Sequence, residues 1–278
     1  MKVISSIKEM KDWRQQLIGS VGFVPTMGYL HEGHLELVRR ARAADQHVAV
    51  SIFVNSTQFG PHEDLSTYPH DPDRDLALLK KEGVDMVFMP DDKEVYPDDF
   101  STWVNVERIT KRLEGASRPG HFRGVTTVVA KLFNIVGPDR AYFGQKDVQQ
   151  ALVIKKMVTD LNMNLEIVVV PTVREPDGLA MSSRNIYLDQ EERKAALVLY
   201  KALTLAQKLY EKGERSAAVI RNKMTEFIQG EPRVSLAYVS VADTDSLEEL
   251  DRIDRPTVIS MAVSVGKTRL IDNMIIMG

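Results

Sequence analysis

Over the first 170 or so residues, short β-branched and apolar runs recur: VGFVP (21–25), HVAVSIFV (47–54), VDMVFMP (84–90), RAYFG (140–144) and LEIVVVP (165–171). The segments between them space their apolar residues near the helical period, so the pattern predicts repeated βα units around a parallel sheet. One helix is marked at both ends. Asp71 is placed as its N-cap, Pro72 as its first residue, Asp73 and Asp75 beside the positive end of the dipole, and Gly83 as the stop after LALLKKE. After about residue 172 the pattern changes to a loop, two helical stretches at roughly 190–212 and 215–229, and strand-like SLAYVSVAD, TVISMAVSV and TRLIDNMII. The expected organisation is an α/β domain over 1–172 and a smaller α+β domain over 173–278. The chain shows no internal repeat and no low-complexity segment.

Composition narrows the chemistry. With 278 residues, 44% of them hydrophobic and 27% charged, the chain has ordinary globular usage and is long enough to bury a sizeable core. No apolar run reaches the roughly 20 residues that span a bilayer, and MKVISSIKEMKDW lacks the basic-then-apolar order of a signal peptide. The expectation is a soluble, cytoplasmic protein. Cysteine is absent, which excludes disulfides, thiolate metal sites and cysteine nucleophiles. A net charge of -3 with dispersed lysine and arginine gives no broad basic face for nucleic acid. Charged small molecules would need local sites.

The strongest local candidate is TMGYLHEGH, where a strand-like run gives way to a helical one between Gly28 and Gly33. At the carboxyl end of a strand in an open α/β sheet, free backbone N–H groups and the helix dipole would favour an anion, phosphate above all. His31 and His34, three apart in a first helical turn, share a face and could stabilise charge developing on a phosphorus centre. Three rival readings compete with this one. A P-loop would need lysine and a hydroxyl residue where His34 and Leu35 stand; a zinc-protease helix needs its histidines four apart; and a plain glycine-rich turn could carry two solvated or core histidines. VGKT near the C-terminus also fails as a P-loop, because Met261 occupies the first glycine position.

Other stretches bear on the same question. YFGQKDVQQ ends a strand at Gly144 and leaves Lys146 at its tip to meet a phosphate, although Asp147 and Gln150 also have capping-box spacing. EPDGLAMSSRN follows a turn with Ser182, Ser183 and Arg184, hydroxyls and a guanidinium suited to a polyphosphate, or else an interdomain loop. FVNSTQF puts Asn55 and Gln58 at the same sheet end as the histidines if the strands are parallel, where amides suit a hydroxyl-bearing carboxylate; a polar turn is the default.

Together these stretches resemble the HIGH-motif nucleotidyltransferases and class I aminoacyl-tRNA synthetases. The ordered set PTMGYLHEGH, FVNSTQF, RPGHFRGV, FGQKD and VPTVREPDGLAMSSRN resembles the pantoate-β-alanine ligase family over nearly the whole chain, with Gln145 where many members carry glutamate. The resemblance implies a Rossmann-like nucleotide-binding domain, with the smaller domain covering the active site. It also implies a two-step reaction in which ATP and pantoate give pantoyl adenylate and pyrophosphate, and β-alanine then displaces AMP. By that resemblance ATP lies on Met27, Gly28, Tyr29, Leu30, His31, Glu32, Gly33 and His34, on Gly144, Gln145, Lys146 and Asp147, on Val173, and on Met181, Ser182, Ser183 and Arg184. His34 takes the role of proton donor, with His31, Lys146 and Arg184 as its catalytic companions, and Gln58 and Gln150 hold pantoate. Pro25, Met27, Val128 and Val129 are candidates for an apolar wall against pantoate's geminal methyls. Magnesium would enter with the nucleotide, no residue is assigned as a metal ligand, and family members are typically homodimers. The alternatives are an adenylyltransferase that leaves the nucleotidyl group on its product, an RNA-binding synthetase fragment, and a non-catalytic nucleotide-binding regulator.

Overall fold

The computed structural model describes residues 1–61 and 63–277. The chain divides into two compact units: residues 1–145 with 149–171, and residues 146–148 with the chain from Thr172 onward.

The first unit is built on a six-stranded sheet of β1 (Lys2–Ile4), β2 (Val21–Thr26), β3 (His47–Ile52), β4 (Met86–Phe88), β5 (Arg140–Gly144) and β6 (Glu166–Val170), in the order β1-β4-β3-β2-β5-β6. Every ladder is parallel, as expected from the alternating pattern. Its helices are α1 (Ile7–Gln15), α2 (Glu32–Ala44), α3 (Pro72–Lys81), the single turns α4 (Asp92–Val95) and α5 (Leu113–Ser117), α6 (His121–Val136) and α7 (Val148–Asp160), the last joining this unit from Gln149. Successive strand residues face opposite sides. Val24, Val50 and Val87 therefore pack against Leu37, Val38 and Ala41 of α2 and Leu79 of α3, while Phe23 and Phe143 meet Phe133 of α6 edge-on, at 6.5 and 6.4 Å between ring centroids. Burial on both faces explains why these strands read as continuous apolar runs rather than alternating ones. Pairing of Thr26 with Ile52 brings the carboxyl ends of β2 and β3 side by side.

α3 has the ends expected of it. The Asp71 carboxylate accepts from Arg74 N at 3.2 Å, Pro72 is the first helical residue, and Gly83 follows in the left-handed region at φ 73°.

The second unit carries α8 (Gln190–Ala195), α9 (Val198–Glu211), α10 (Ala217–Gln229) and an antiparallel sheet of β7 (Val234–Asp243), β8 (Thr257–Val265) and β9 (Thr268–Ile276) in the order β7-β8-β9. Leu199, Ala202, Leu203 and Ala206 of α9 and Ile220, Met224 and Ile228 of α10 cover one sheet face, which offers Val241, Ile259, Met261 and Val263. The single helix expected over 190–212 is two, interrupted at Ala196–Leu197, where the Ala196 N–H turns back to Glu192 and Lys194 carbonyls. Among the described residues no helix is long and apolar enough to cross a membrane.

Candidate active site

β2 ends at Thr26, and the chain must turn sharply to start α2 at Glu32. Gly28 at φ 83° and Tyr29 at φ 49° make that turn, and a Cβ on Gly28 would sit 3.0 Å from Ile52 Cγ2 in a conformation that already disfavours any side chain. Thr26 Oγ1 donates to Ser51 O at 2.8 Å and accepts from Gly28 N at 3.2 Å. Asp75, reaching in from the first turn of α3, accepts from Tyr29 N at 2.7 Å and Leu30 N at 2.8 Å. Its carboxylate is only 1% exposed. Burial pushes its pKa up, the two N–H bonds and Arg74 pull the other way, and burial prevails. Arg74 also donates to Leu30 O at 2.8 Å and lies over the Tyr29 ring at 5.3 Å. Asp75 is thus more than the dipole complement expected of it: it is the anion that fills the turn's backbone cradle.

His31 is the N-cap of α2. Its Nδ1 accepts from Gly33 N at 3.1 Å, and His34 Nδ1 accepts from His31 N at 3.3 Å, a reciprocal capping box made of two imidazoles. The rings lie 4.0 Å apart between centroids. A backbone N–H only donates, so each Nδ1 presents a lone pair, and each neutral ring carries its proton on Nε2. These bonds correct one expectation. Gly28, Tyr29, Leu30, His31 and Gly33 direct their N–H groups to protein acceptors, and those of His34 and Leu35 go to His31 O. These amides are therefore committed to protein acceptors and do not form a nest of free donors.

The structure brings Gln58 to this turn. Its Nε2 lies 3.1 Å from Met27 Sδ, and its Oε1 accepts from Asn55 Nδ2 at 3.0 Å. Asn55, 1% exposed, also donates to Gly124 O at 3.3 Å and accepts at Oδ1 from Tyr96 OH and Thr57 Oγ1, both at 2.9 Å. The network fixes which end of the Gln58 amide is the acceptor. α6 presses close to this segment, since a Cβ on Gly124 would fall 2.8 Å from Gln58 Cα; only glycine fits. His121 Nδ1 donates to Gln58 O at 2.8 Å, which leaves its Nε2 as acceptor for Arg118 NH1 at 3.1 Å. Burial and the Arg118 charge lower the His121 pKa to about 4. Arg118 in turn pairs with Glu63 through Nε at 2.7 Å; burial works against the Glu63 charge, but this pairing holds its carboxyl below the ordinary value. Val128 and Val129 are buried on α6, Pro25 and Met27 half-buried, and Gln150 stands half-buried in the first turn of α7.

Gly144 ends β5, and Gln145–Asp147 form a single tight turn before α7. Lys146 and Asp147 group with the second unit, as do Val173 and Met181–Arg184. Lys146 Nζ lies 3.7 Å from Asp147 Oδ1. Met181 N donates to Val173 O at 3.0 Å, and Ser182 caps the turn Ser183–Tyr187 by accepting from Arg184 N at 3.3 Å. Asn273 on β9 donates to Lys146 O at 2.9 Å.

The sequence reading takes Asp75 only as a dipole complement and does not place Asn273, Tyr96 or His121 among its site candidates. Asp75 shares the helix stripe of buried Leu79, four residues on, and an acid on an apolar stripe is the available signal. Asn273 sits with Asp272 as a polar pair inside an apolar strand run, which is a similar signal. Tyr96 acts from the end of α4 and His121 from the start of α6, each on a segment distant in sequence; His121 falls within RPGHFRGV, but nothing local marks the partner of either.

Known proteins match this arrangement over the whole chain. The family described as Pantoate-beta-alanine ligase matches residues 2–275. Pantothenate synthetase of Roseiflexus castenholzii is 59% identical over 276 residues, 99% of each chain. The crystal structure of pantothenate synthetase from Thermus thermophilus superimposes with a TM-score of 0.95 at 47% identity, covering 99% of each chain. The pantoate-beta-alanine ligase of Francisella tularensis, in a complex with beta-gamma ATP and beta-alanine, gives a TM-score of 0.81 at 36% identity, covering 99% of this chain and 97% of that one. The strand-end turn with its paired imidazoles is thus set in a sequence and a fold shared from end to end with these ligases, and the chain belongs to the pantoate-beta-alanine ligase family.

Proposed function

We propose that this ligase joins pantoate to β-alanine at the expense of ATP through a pantoyl adenylate, and that the imidazole pair at the β2–α2 turn assists the first step. The observation that carries this reading is the capping geometry of His31 and His34, whose Nδ1 atoms are both held by backbone N–H groups. ATP and β-alanine are assigned by likeness to the Francisella tularensis ligase complex. Pantoate is assigned from the family's description and from the amide network at Gln58.

In the first step a pantoate carboxylate oxygen attacks the α-phosphorus, the bond to the bridging oxygen breaks, and pyrophosphate leaves. A carboxylate acylates poorly, whereas the mixed anhydride carries a good leaving group. His34 Nε2–H, with His31 beside it, donates to phosphate oxygens as charge builds on them. Lys146 and Arg184 supply positive charge to the phosphates, with Met27–His34, Gly144–Asp147, Val173 and Met181–Arg184 as the nucleotide contacts. Magnesium would enter with the nucleotide and neutralise charge on its phosphates, and no residue of the chain is assigned to hold it.

Gln58 and Gln150 hold pantoate by its carboxylate and hydroxyls, with Val128, Val129, Pro25 and Met27 against its methyls. In the second step the uncharged amine of β-alanine attacks the acyl carbon, the carbon–oxygen bond to phosphate breaks, AMP leaves, and the new amide nitrogen loses a proton. We further propose that the chain acts in the cytoplasm as a homodimer, with neither nucleic acid nor membrane as partner.

Mass spectrometry of the protein with ATP, magnesium, pantoate and β-alanine, each omitted in turn, tests this reading. Pantothenate and AMP are expected only from the full mixture. An adenylylated end product and pyrophosphate formed at catalytic turnover without β-alanine would favour an adenylyltransferase instead.

A further inference from the structure

The Asp272–Asn273 pair in β9 lies outside every motif that points to nucleotide chemistry, yet two such motifs converge on it. Asp272, 2% exposed, takes both guanidinium nitrogens of Arg174 at 2.7 and 2.9 Å. Arg174 NH1 also donates to Gly178 O at 3.1 Å, so the Arg174–Gly178 turn that leads into Met181–Arg184 is tied to β9. β9 packs as well against the turn Ser183–Tyr187. Asn273, also 2% exposed, looks to the other face of the strand and donates through Nδ2 to Lys146 O at 2.9 Å; its own N–H goes to Asp272 Oδ1 at 2.8 Å. On that face Asn273 neighbours Ser260, and Ser260 neighbours Ser240, across the three strands.

We infer that Asn273 is a positioning residue for Lys146: its amide fixes the Lys146 carbonyl and so the root from which the ammonium reaches the nucleotide. Lys146 stands in a tight turn between β5 and α7. Fixing its peptide leaves only side-chain rotors to be ordered when ATP binds, and it holds the lysine to one segment with the Arg174–Arg184 loop. A misplaced charge about an ångström from its productive position costs up to about 100-fold in rate. The inference rests on the proposed contact of Lys146 with the nucleotide.

The test is a double-mutant cycle in the full chain, with Asn273→Ala and the volume-keeping Asn273→Leu made in the parent and in Lys146→Ala. Pyrophosphate release is read against ATP and against pantoate, alongside melting curves. In the parent background both variants should fold, lose about 10- to 100-fold in kcat/KM for ATP, and keep the KM for pantoate. In the Lys146→Ala background they should change kcat/KM for ATP by less than about twofold, because the residue they act through is gone. Persistence of the full loss on Lys146→Ala, an equal loss toward pantoate, or parent-level use of ATP by a folded variant overturns the positioning role. Parent-level activity of Lys146→Ala by itself overturns the lysine contact and the positioning role together, and so distinguishes the two failures.

Discussion

At His34 one ring is assigned two separable jobs. Nδ1 closes the helix cap by accepting from His31 N, and Nε2–H is the donor proposed for chemistry. His34→Ala removes both, and should slow adenylate formation by about 100- to 1000-fold, the usual loss of one transition-state donor. It should also cost about 1 kcal/mol of stability through the lost cap. His34→Asn separates the jobs. Its amide oxygen reaches about where Nδ1 stands, so stability should return while the rate stays low. Denaturant unfolding and single-turnover pyrophosphate release check the pair, and recovery of rate in His34→Asn would take Nε2 out of the mechanism. His121 gives the pH dependence at this scale. It is held neutral with a pKa of about 4 by burial first and Arg118 second, with Glu63 and Glu114 acting the other way. Unfolded, it titrates near 6.5, so between about 4 and 6.5 the unfolded chain binds more protons and folding stability falls as the pH falls. The His121→Asn variant preserves a donor toward Gln58 O, and its unfolding free energy should lose much of that slope. An unchanged slope across this window would show that other groups carry it.

α3 shows how an element is tuned for a site it does not contain. Its capping residues are local and were readable: Asp71, Pro72 and Gly83 each act within a turn of their own position. Asp75 acts 45 and 46 residues away, on Leu30 and Tyr29, and only the tertiary fold brings the two together. Asp75→Asn leaves one acceptor oxygen for two buried N–H groups and should cost about 1 to 3 kcal/mol of stability. It should also weaken ATP use by relaxing a turn held at positive φ, as measured by denaturant titration and the KM for ATP; unchanged values in both would reduce Asp75 to a dipole complement. The same division between near and far runs through the rest of the fold. The parallel sheet and the three C-terminal strands were legible because apolar runs of five to nine residues carry a clear pattern. β1 was not, for three residues on a sheet edge carry no period and its partner is Met86–Phe88, far along the chain. The α8–α9 break has neither proline nor glycine to announce it. At the site, residue types and spacing single out the side chains proposed for chemistry, with Asn55 among the candidates, whereas the support given by Asp75, Tyr96, His121 and Asn273 depends on long-range hydrogen bonds.

Over the whole molecule, the chain passes from the first unit to the second at 145/146, back at 148/149 and out again at 171/172, so the segment with Lys146 is grouped with the C-terminal residues although its flanks are not. Met27–His34, Gly144–Asp147, Val173 and Met181–Arg184 are proposed for the nucleotide, and Gln58 and Gln150 for the acid. Adenylation joins these assignments into one reaction, because it is the step in which the acid's oxygen becomes bonded to the nucleotide's phosphorus. Oxygen-18 in the carboxylate of pantoate follows that atom. With ATP and β-alanine present, one labelled oxygen should appear in AMP for each pantothenate formed, and none in pyrophosphate. Label recovered in inorganic phosphate beside ADP, or AMP formed without label, would contradict the adenylate route.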